Sequence, residues 1–118
     1  MTASKPKRSE IWWVQLNPIV GAEMEKLRPA LVISSDSLQA LPLSVIAPIT
    51  NWKNQFENNI WHIKLEKDEV NGLTKTSAIT ALQIRSVDHS RFKEFIGKVS
   101  PSIMDSVTAA VAAVIEYE

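Results

Sequence analysis

The sequence predicts a mainly β domain, a small barrel or curled sheet, with one helix packed on it at the C-terminal end. Three observations carry this. Short β-branched and aromatic runs recur at close spacing between turn-forming residues, as in small closed or curled sheets. Helical periodicity occurs once, in the last segment, behind a Ser100-Pro101 pair suited to starting a helix. The 118 residues, 45% of them hydrophobic, suffice for one core and point away from wholesale disorder.

The elements follow in order. Residues 1–9 contain the polar, basic stretch MTASKPKR, broken by Pro6, and read as a flexible tail; residues 10–118 then form a single domain. Ile11-Trp12-Trp13-Val14-Gln15-Leu16 reads as a strand stopped by Asn17-Pro18. Strand alternation puts Trp12 and Trp13 on opposite faces, one for the core and one for an exposed contact such as a dimer interface. Residues 17–27, with Pro18 and Gly21, read as a long loop, and residues 30–34 as a second strand ending at Ser35-Asp36. Residues 43–50 form a third apolar run whose Pro48 has no N–H for a ladder, which suggests an edge or bulged position.

A polar loop at residues 51–59 carries Trp52 and Phe56, and residues 60–65 read as a fourth strand followed by the charged turn EKDEVNG. Residues 76–88 fit one long strand or two with a bend, and residues 95–99 a final short strand. In the helix, Ser100 suits the N-cap and Pro101 the first turn, with Ile103, Val107, Ala110, Val111 and Val114 on one face.

Composition excludes several chemistries. There is no cysteine, so disulfides and thiolate nucleophiles or ligands are out, and His62 and His89 are too few and too far apart to suggest a metal centre. Catalysis would come from arginine, lysine, carboxylates, hydroxyls and amides. No apolar run approaches the roughly 20 residues a bilayer span needs, and the first ten residues lack the apolar stretch of a secretory signal, so a cytoplasmic protein without membrane contact is expected. With 13 basic and 13 acidic residues, net charge gives no argument for nucleic-acid binding, and a role of that kind needs a local basic groove.

Four segments, taken in order, resemble the MazF/PemK family of small toxins. They are Glu10-Ile11-Trp12-Trp13-Val14 through Leu16-Asn17-Pro18; Gly21-Ala22-Glu23 followed by Arg28-Pro29-Ala30-Leu31-Val32-Ile33-Ser34; Pro48-Ile49-Thr50; and Gln83-Ile84-Arg85-Ser86-Val87-Asp88 followed by Arg91 and Ile96-Gly97. No single piece is specific; their order and spacing are. The resemblance covers the chain from about Glu10 onward. It implies an SH3-like small barrel, a homodimer, and endoribonuclease cleavage of single-stranded RNA without metal or other cofactor. It also implies a small cognate antitoxin that blocks the active site.

Metal-free RNA cleavage uses the neighbouring 2′-hydroxyl as nucleophile, so the protein must move protons and stabilise charge on phosphorus. A guanidinium matches phosphate oxygens in two-pronged fashion and stays charged. The resemblance places this role on Arg28, at a strand start after the loop, and a phosphate-directed hydroxyl on Thr50. Taken alone, an arginine at a strand start is more often a surface ion-pair partner and a threonine at a strand end a turn former. Glu23, in the loop before Arg28, orients that arginine, moves a proton, or is simply solvated. Gln83 and Arg85, two apart, are expected to share a strand face and line an RNA-binding surface; the bland alternative for Arg85 is an ion pair with Asp88 or another carboxylate. Trp52, beside Thr50, suits base stacking, or else caps the barrel end together with Phe56. His62 reads as a structural histidine.

The chain departs from the family pattern at three places. Some relatives have a histidine where Ala22 stands, many an aspartate at Leu82, and others an arginine at Thr80. The general acid and base of those relatives are therefore absent. A second reading is a non-catalytic toxin of the same architecture that inhibits a protein target such as gyrase.

Overall fold

The computed structural model describes residues 5–16 and 26–117. Seven strands, β1 (Glu10–Gln15), β2 (Leu27–Val32), β3 (Leu43–Asn51), β4 (His62–Leu65), β5 (Ser77–Thr80), β6 (Arg85–Asp88) and β7 (Phe92–Lys98), precede one helix, α1 (Pro101–Val114). All pairings are antiparallel, in the order β4-β5-β3-β2-β1-β7, with β6 also on β3. The mainly β class with a C-terminal helix is as the sequence predicts.

β3 organises the sheet. Leu43 to Ile46 pair with β6, Ile46 to Pro48 with β2, and Ile49 to Asn51 with β5. It is a central strand, where the sequence suggested an edge or a bulge for Pro48. Pro48 is tolerated because it sits where β3 exchanges β6 for β5, a gap in the ladder on that side. The stretch after Thr76 is two strands with a bend: the 3-10 turn Ala81–Gln83 breaks it between β5 and β6.

The run β6-β3-β2-β1-β7 curls back on itself, because β6 and β7 are joined by only the three-residue turn His89–Arg91. Arg85 and Arg91 reach across this closure to the carbonyls of Leu16 and Gln15. The result is a small barrel. Its interior holds Val14, Leu16, Ala30, Val32, Ile46 and Val87, with Trp12 and Phe92 packed against them. On the other sheet face, Ile11, Leu31, Ala47, Ile49 and Ile79 pack with Met104 and Val107 of α1. Both faces of β2 are covered, which is why residues 30–32 read as an unbroken apolar run. Trp12 and Trp13 divide as expected, Trp12 to the barrel interior and Trp13, 37% exposed, to the opposite face.

The helix starts as predicted: the Ser100 hydroxyl accepts from the Ile103 N–H at 3.2 Å, and Pro101 occupies the first turn. Met104, Val107 and Ala110 are its buried residues, with Ile103 and Val111 alongside. Residues 5–9, read from sequence as part of a flexible tail, are instead held to the sheet. Pro6 is buried, the Arg8 N–H donates to Asp36 Oδ1 at 2.8 Å, and the Arg8 guanidinium donates to the Ile33 carbonyl. Basic composition alone does not reveal that acceptors lie at the 33–39 turn. Residues 1–4 lie outside the described residues.

Candidate functional site

Strand alternation builds the site. Along β2, Ala30 and Val32 point into the barrel, and Arg28 continues their row; along β3, Ile46 and Pro48 are continued by Thr50; along β6, Val87 is continued by Arg85. The barrel lining thus turns from apolar to polar at one mouth. The last paired residues of β2 and β3 are Ala30 and Pro48, so beyond them the strands part. Arg28 and Thr50 lie just past this point, on either side of the opening. A cleft of about 500 Å³ occupies it, lined by Arg28, Thr50, Gln83 and Arg85 together with Leu16, Pro48 and Asn51.

Four of the residues singled out in the sequence therefore meet in one place. Arg28 and Thr50 are exposed, and Arg28 makes no ion pair among the described residues. Arg85 is not paired with Asp88. Its Nη1 donates to the Leu16 carbonyl at 2.9 Å, which fixes the guanidinium at the cleft wall. Gln83 shares the cleft with Arg85 but not a strand: it sits on the 3-10 turn Ala81–Gln83, because β5 and β6 bend there to follow β3. The charged residues of the described lining are Arg28 and Arg85, both cationic, so in a chain of zero net charge the cleft is a local anion-favouring site.

Trp52 does not line the cleft. It packs edge-on to Phe56 with centroids 5.8 Å apart, and Lys64 Nζ lies 5.2 Å from its ring centroid. Phe56 in turn stacks on His62 at 3.7 Å. Trp52 thus belongs to one aromatic cluster with Phe56 and His62. It still stands next to the cleft, because Thr50 and Lys64 both pair with Ala78 and so share its sheet face. His62 is half-buried, and burial pushes its pKa below the usual histidine value. Glu23 and Ala22 lie outside the described residues.

Asn51 and Ser77 also line the cleft and face one another across β3 and β5. Sequence reasoning passed over them, although a polar residue directly after Thr50, at the end of an apolar strand, was a usable signal. The contribution of the Leu16 backbone carries no side-chain signal at all. Among the described residues, no group of three or more histidines, cysteines or carboxylates gathers as metal ligands would. No described helix is long and apolar enough to cross a membrane.

Comparison with known proteins places this geometry. The profile of the PemK-like, MazF-like toxins of type II toxin–antitoxin systems matches residues 7–115. Endoribonuclease EndoA of Bacillus subtilis (strain 168) is 30% identical over 106 residues, covering 89% of this chain and 90% of that protein. Among solved structures, a MazE–MazF complex from Deinococcus radiodurans superposes with a TM-score of 0.79 at 19% identity, over 98% of this chain and all (100%) of that one. An endoribonuclease in complex with its cognate antitoxin from a mycobacterial species gives 0.76 at 17% identity, over 96% and 97%. At such identities the solved structures speak for the fold, and the family rests on the profile and the curated relative. The chain belongs to the PemK-like, MazF-like toxins of type II toxin–antitoxin systems.

Proposed function

We propose that this chain is an endoribonuclease toxin that cuts single-stranded RNA without a metal ion and is neutralised by a cognate antitoxin. The observation that carries this is the meeting of Arg28, Thr50, Gln83 and Arg85 in one cleft whose charged described lining is wholly cationic. The curated relative is named an endoribonuclease, and a mycobacterial neighbour is described with its cognate antitoxin, which supports the same reading.

In this reading the RNA 2′-oxygen attacks the adjacent phosphorus. A bond from O2′ to phosphorus forms, the bond from phosphorus to O5′ breaks, and the products carry a 2′,3′-cyclic phosphate and a 5′-hydroxyl. The 2′-hydroxyl loses its proton and the departing O5′ gains one. Arg28 grips the non-bridging oxygens, where charge builds up, and the Thr50 hydroxyl donates a further hydrogen bond to them. Arg85, with Nη1 on the Leu16 carbonyl, has further N–H groups without a partner among the described residues to meet a phosphate, and Gln83 offers an amide to a base edge. Trp52 supports a neighbouring base from beside the cleft. Glu23 is left with proton transfer or with orienting Arg28, since Ala22 and Leu82 cannot move a proton. The active species is a homodimer.

The test is to incubate purified protein with end-labelled single-stranded RNA in excess chelator and map the ends. Cyclic phosphate ends, lost in Arg28→Ala and kept in an exposed control such as Lys93→Ala, are expected. Intact RNA at high protein concentration would overturn the reading, and cleavage that appears only when a divalent metal is added back would overturn its metal-free part. Sedimentation of the free protein reads the dimer.

A further inference from the structure

Arg28 borders two clefts. On the far side of the start of β2 lies a second groove of about 280 Å³, walled by Trp13, Leu73 and Ile96, with Lys75 at its rim. Arg28, Pro29, Asn51 and Ser77 line both spaces, so the two are continuous around the end of β2. The sequence dictates this split. Arg28 points toward the barrel mouth, while Pro29, the next residue, pairs with Trp13 and shares its opposite face. A chain passing from one cleft to the other must run beside the Arg28 guanidinium.

We propose that this second groove is a nucleobase subsite, holding the base on one side of the phosphate bound at Arg28 against the face of Trp13, with Lys75 meeting the next phosphate. This rests on the RNA-cleaving reading above and adds where the strand runs. An indole left 37% exposed in a groove that two cations also line is the combination that single-stranded nucleic acids use: a stacking face with charge along the backbone path. Lys75 makes no ion pair among the described residues, and the charged residues of the described lining are again only cationic. Those charges favour a polyanion over a neutral or basic apolar peptide. The Ser77 hydroxyl donates to the Lys75 carbonyl at 2.9 Å and so holds the rim of the groove to β5.

The probe is a fluorescein-labelled single-stranded RNA pool of mixed sequence with 2′-fluoro in place of every 2′-hydroxyl, which removes the nucleophile. Anisotropy measures its binding to the full chain and to Trp13→Leu, Trp13→Phe and Lys75→Gln. Trp13→Leu is expected to weaken binding roughly 5- to 100-fold, and Trp13→Phe, which keeps an aromatic face, to recover most of that. Lys75→Gln is expected to lower the salt dependence by about one phosphate contact. A pool carrying 5-iodouridine should photo-crosslink to Trp13.

Unchanged affinity in Trp13→Leu overturns the subsite, and if Arg28→Ala still abolishes cleavage the function reading stands without it. A wild-type chain that neither binds nor cuts RNA overturns both. A Trp13→Leu chain that becomes monomeric, and regains full binding at concentrations where it dimerises, would make the groove a contact between copies and overturn the proposal.

Discussion

Arg85 donates from Nη1 to the carbonyl oxygen of Leu16 at 2.9 Å, and Arg91 donates to the adjacent carbonyl of Gln15 at 3.2 Å. Two side chains thus close the barrel where no backbone ladder joins β6 to β1. Only Arg85 also lines the cleft. Its guanidinium therefore takes part in closure while standing at the cleft wall, whereas Arg91 takes part in closure away from the cleft.

The two arginines should separate in experiment. A charged donor on a backbone carbonyl, from a side chain that is exposed (Arg85) or half-buried (Arg91), contributes about 1 kcal/mol after solvent screening. Arg85→Ala and Arg91→Ala should each lower unfolding free energy in urea by about that much. Only Arg85→Ala should also weaken RNA binding. Equal losses of binding would mean that closure, and not contact, explains the role of Arg85.

Arg28 should behave in the opposite way. It is exposed and without an ion pair among the described residues, so Arg28→Ala should leave stability within about 0.5 kcal/mol. Cleavage should fall roughly 100- to 1000-fold, the usual cost of removing a donor aimed at developing charge. Arg28→Lys should recover little, since a point charge does not reproduce the fork. Thr50→Val, which keeps the branched shape, should cost roughly 10- to 100-fold, as for one hydrogen bond to a charged acceptor. Single-turnover cleavage beside a urea titration reads both quantities.

Much of this was legible in the sequence because strand alternation is a strict rule. The rows Arg28-Ala30-Val32, Ile46-Pro48-Thr50 and Arg85-Val87 can be written down from the sequence once the strands are recognised. What alternation cannot supply is which strand lies beside which. That β3 exchanges β6 for β5 at Pro48 follows from long-range pairing, so Pro48 looked like an edge residue when it marks a partner change in a central strand. The bend at Ala81–Gln83 was offered only as one of two options, since nothing local in Thr80-Ala81-Leu82-Gln83 forbids a strand. Asn51 and Ser77 were missed because their place depends on the same pairing. Trp52 and Phe56 were visible together as aromatics near Thr50, but the place of Lys64 over the Trp52 ring emerges only once β4 is laid beside β5.

Gly97 is fixed by a close approach. A Cβ there would stand 2.4 Å from the carbonyl oxygens of Val70 and Asn71. Asn71 cannot easily give way: it is buried, and its side chain donates to the Glu66 carbonyl at 2.8 Å and accepts from the Leu73 N–H at 3.0 Å. Gly97→Ala should therefore cost roughly 2–3 kcal/mol, as overpacking against a fixed backbone does. A urea midpoint equal to that of wild type would show that the 66–73 loop moves aside freely.

The acid side of the stability profile should fall in two separate steps. His62 stacks on Phe56 with rings 9° from parallel, and its Nδ1 lies 3.1 Å from Asn59 Oδ1. Burial lowers its pKa from the usual 6.5, so as pH falls the unfolded chain takes up this proton before the folded one. Stability from this residue is thus intact above 6.5 and declines below it, until the folded histidine also protonates. Asp88 has its pKa lowered from 3.8, first by the Ser90 N–H, which it accepts at 2.8 Å, and then by the Ser90 side chain. The folded state holds Asp88 charged where the unfolded chain would protonate it, so its contribution is present above 3.8 and lost below. His62→Phe keeps a ring for Phe56 to stack on and should remove the first decline while leaving the second. Asp88→Asn should do the reverse. Urea unfolding followed at intervals from about pH 7.5 to pH 3 resolves the two windows. An unaltered slope below 6.5 in His62→Phe would mean that another group carries that proton uptake.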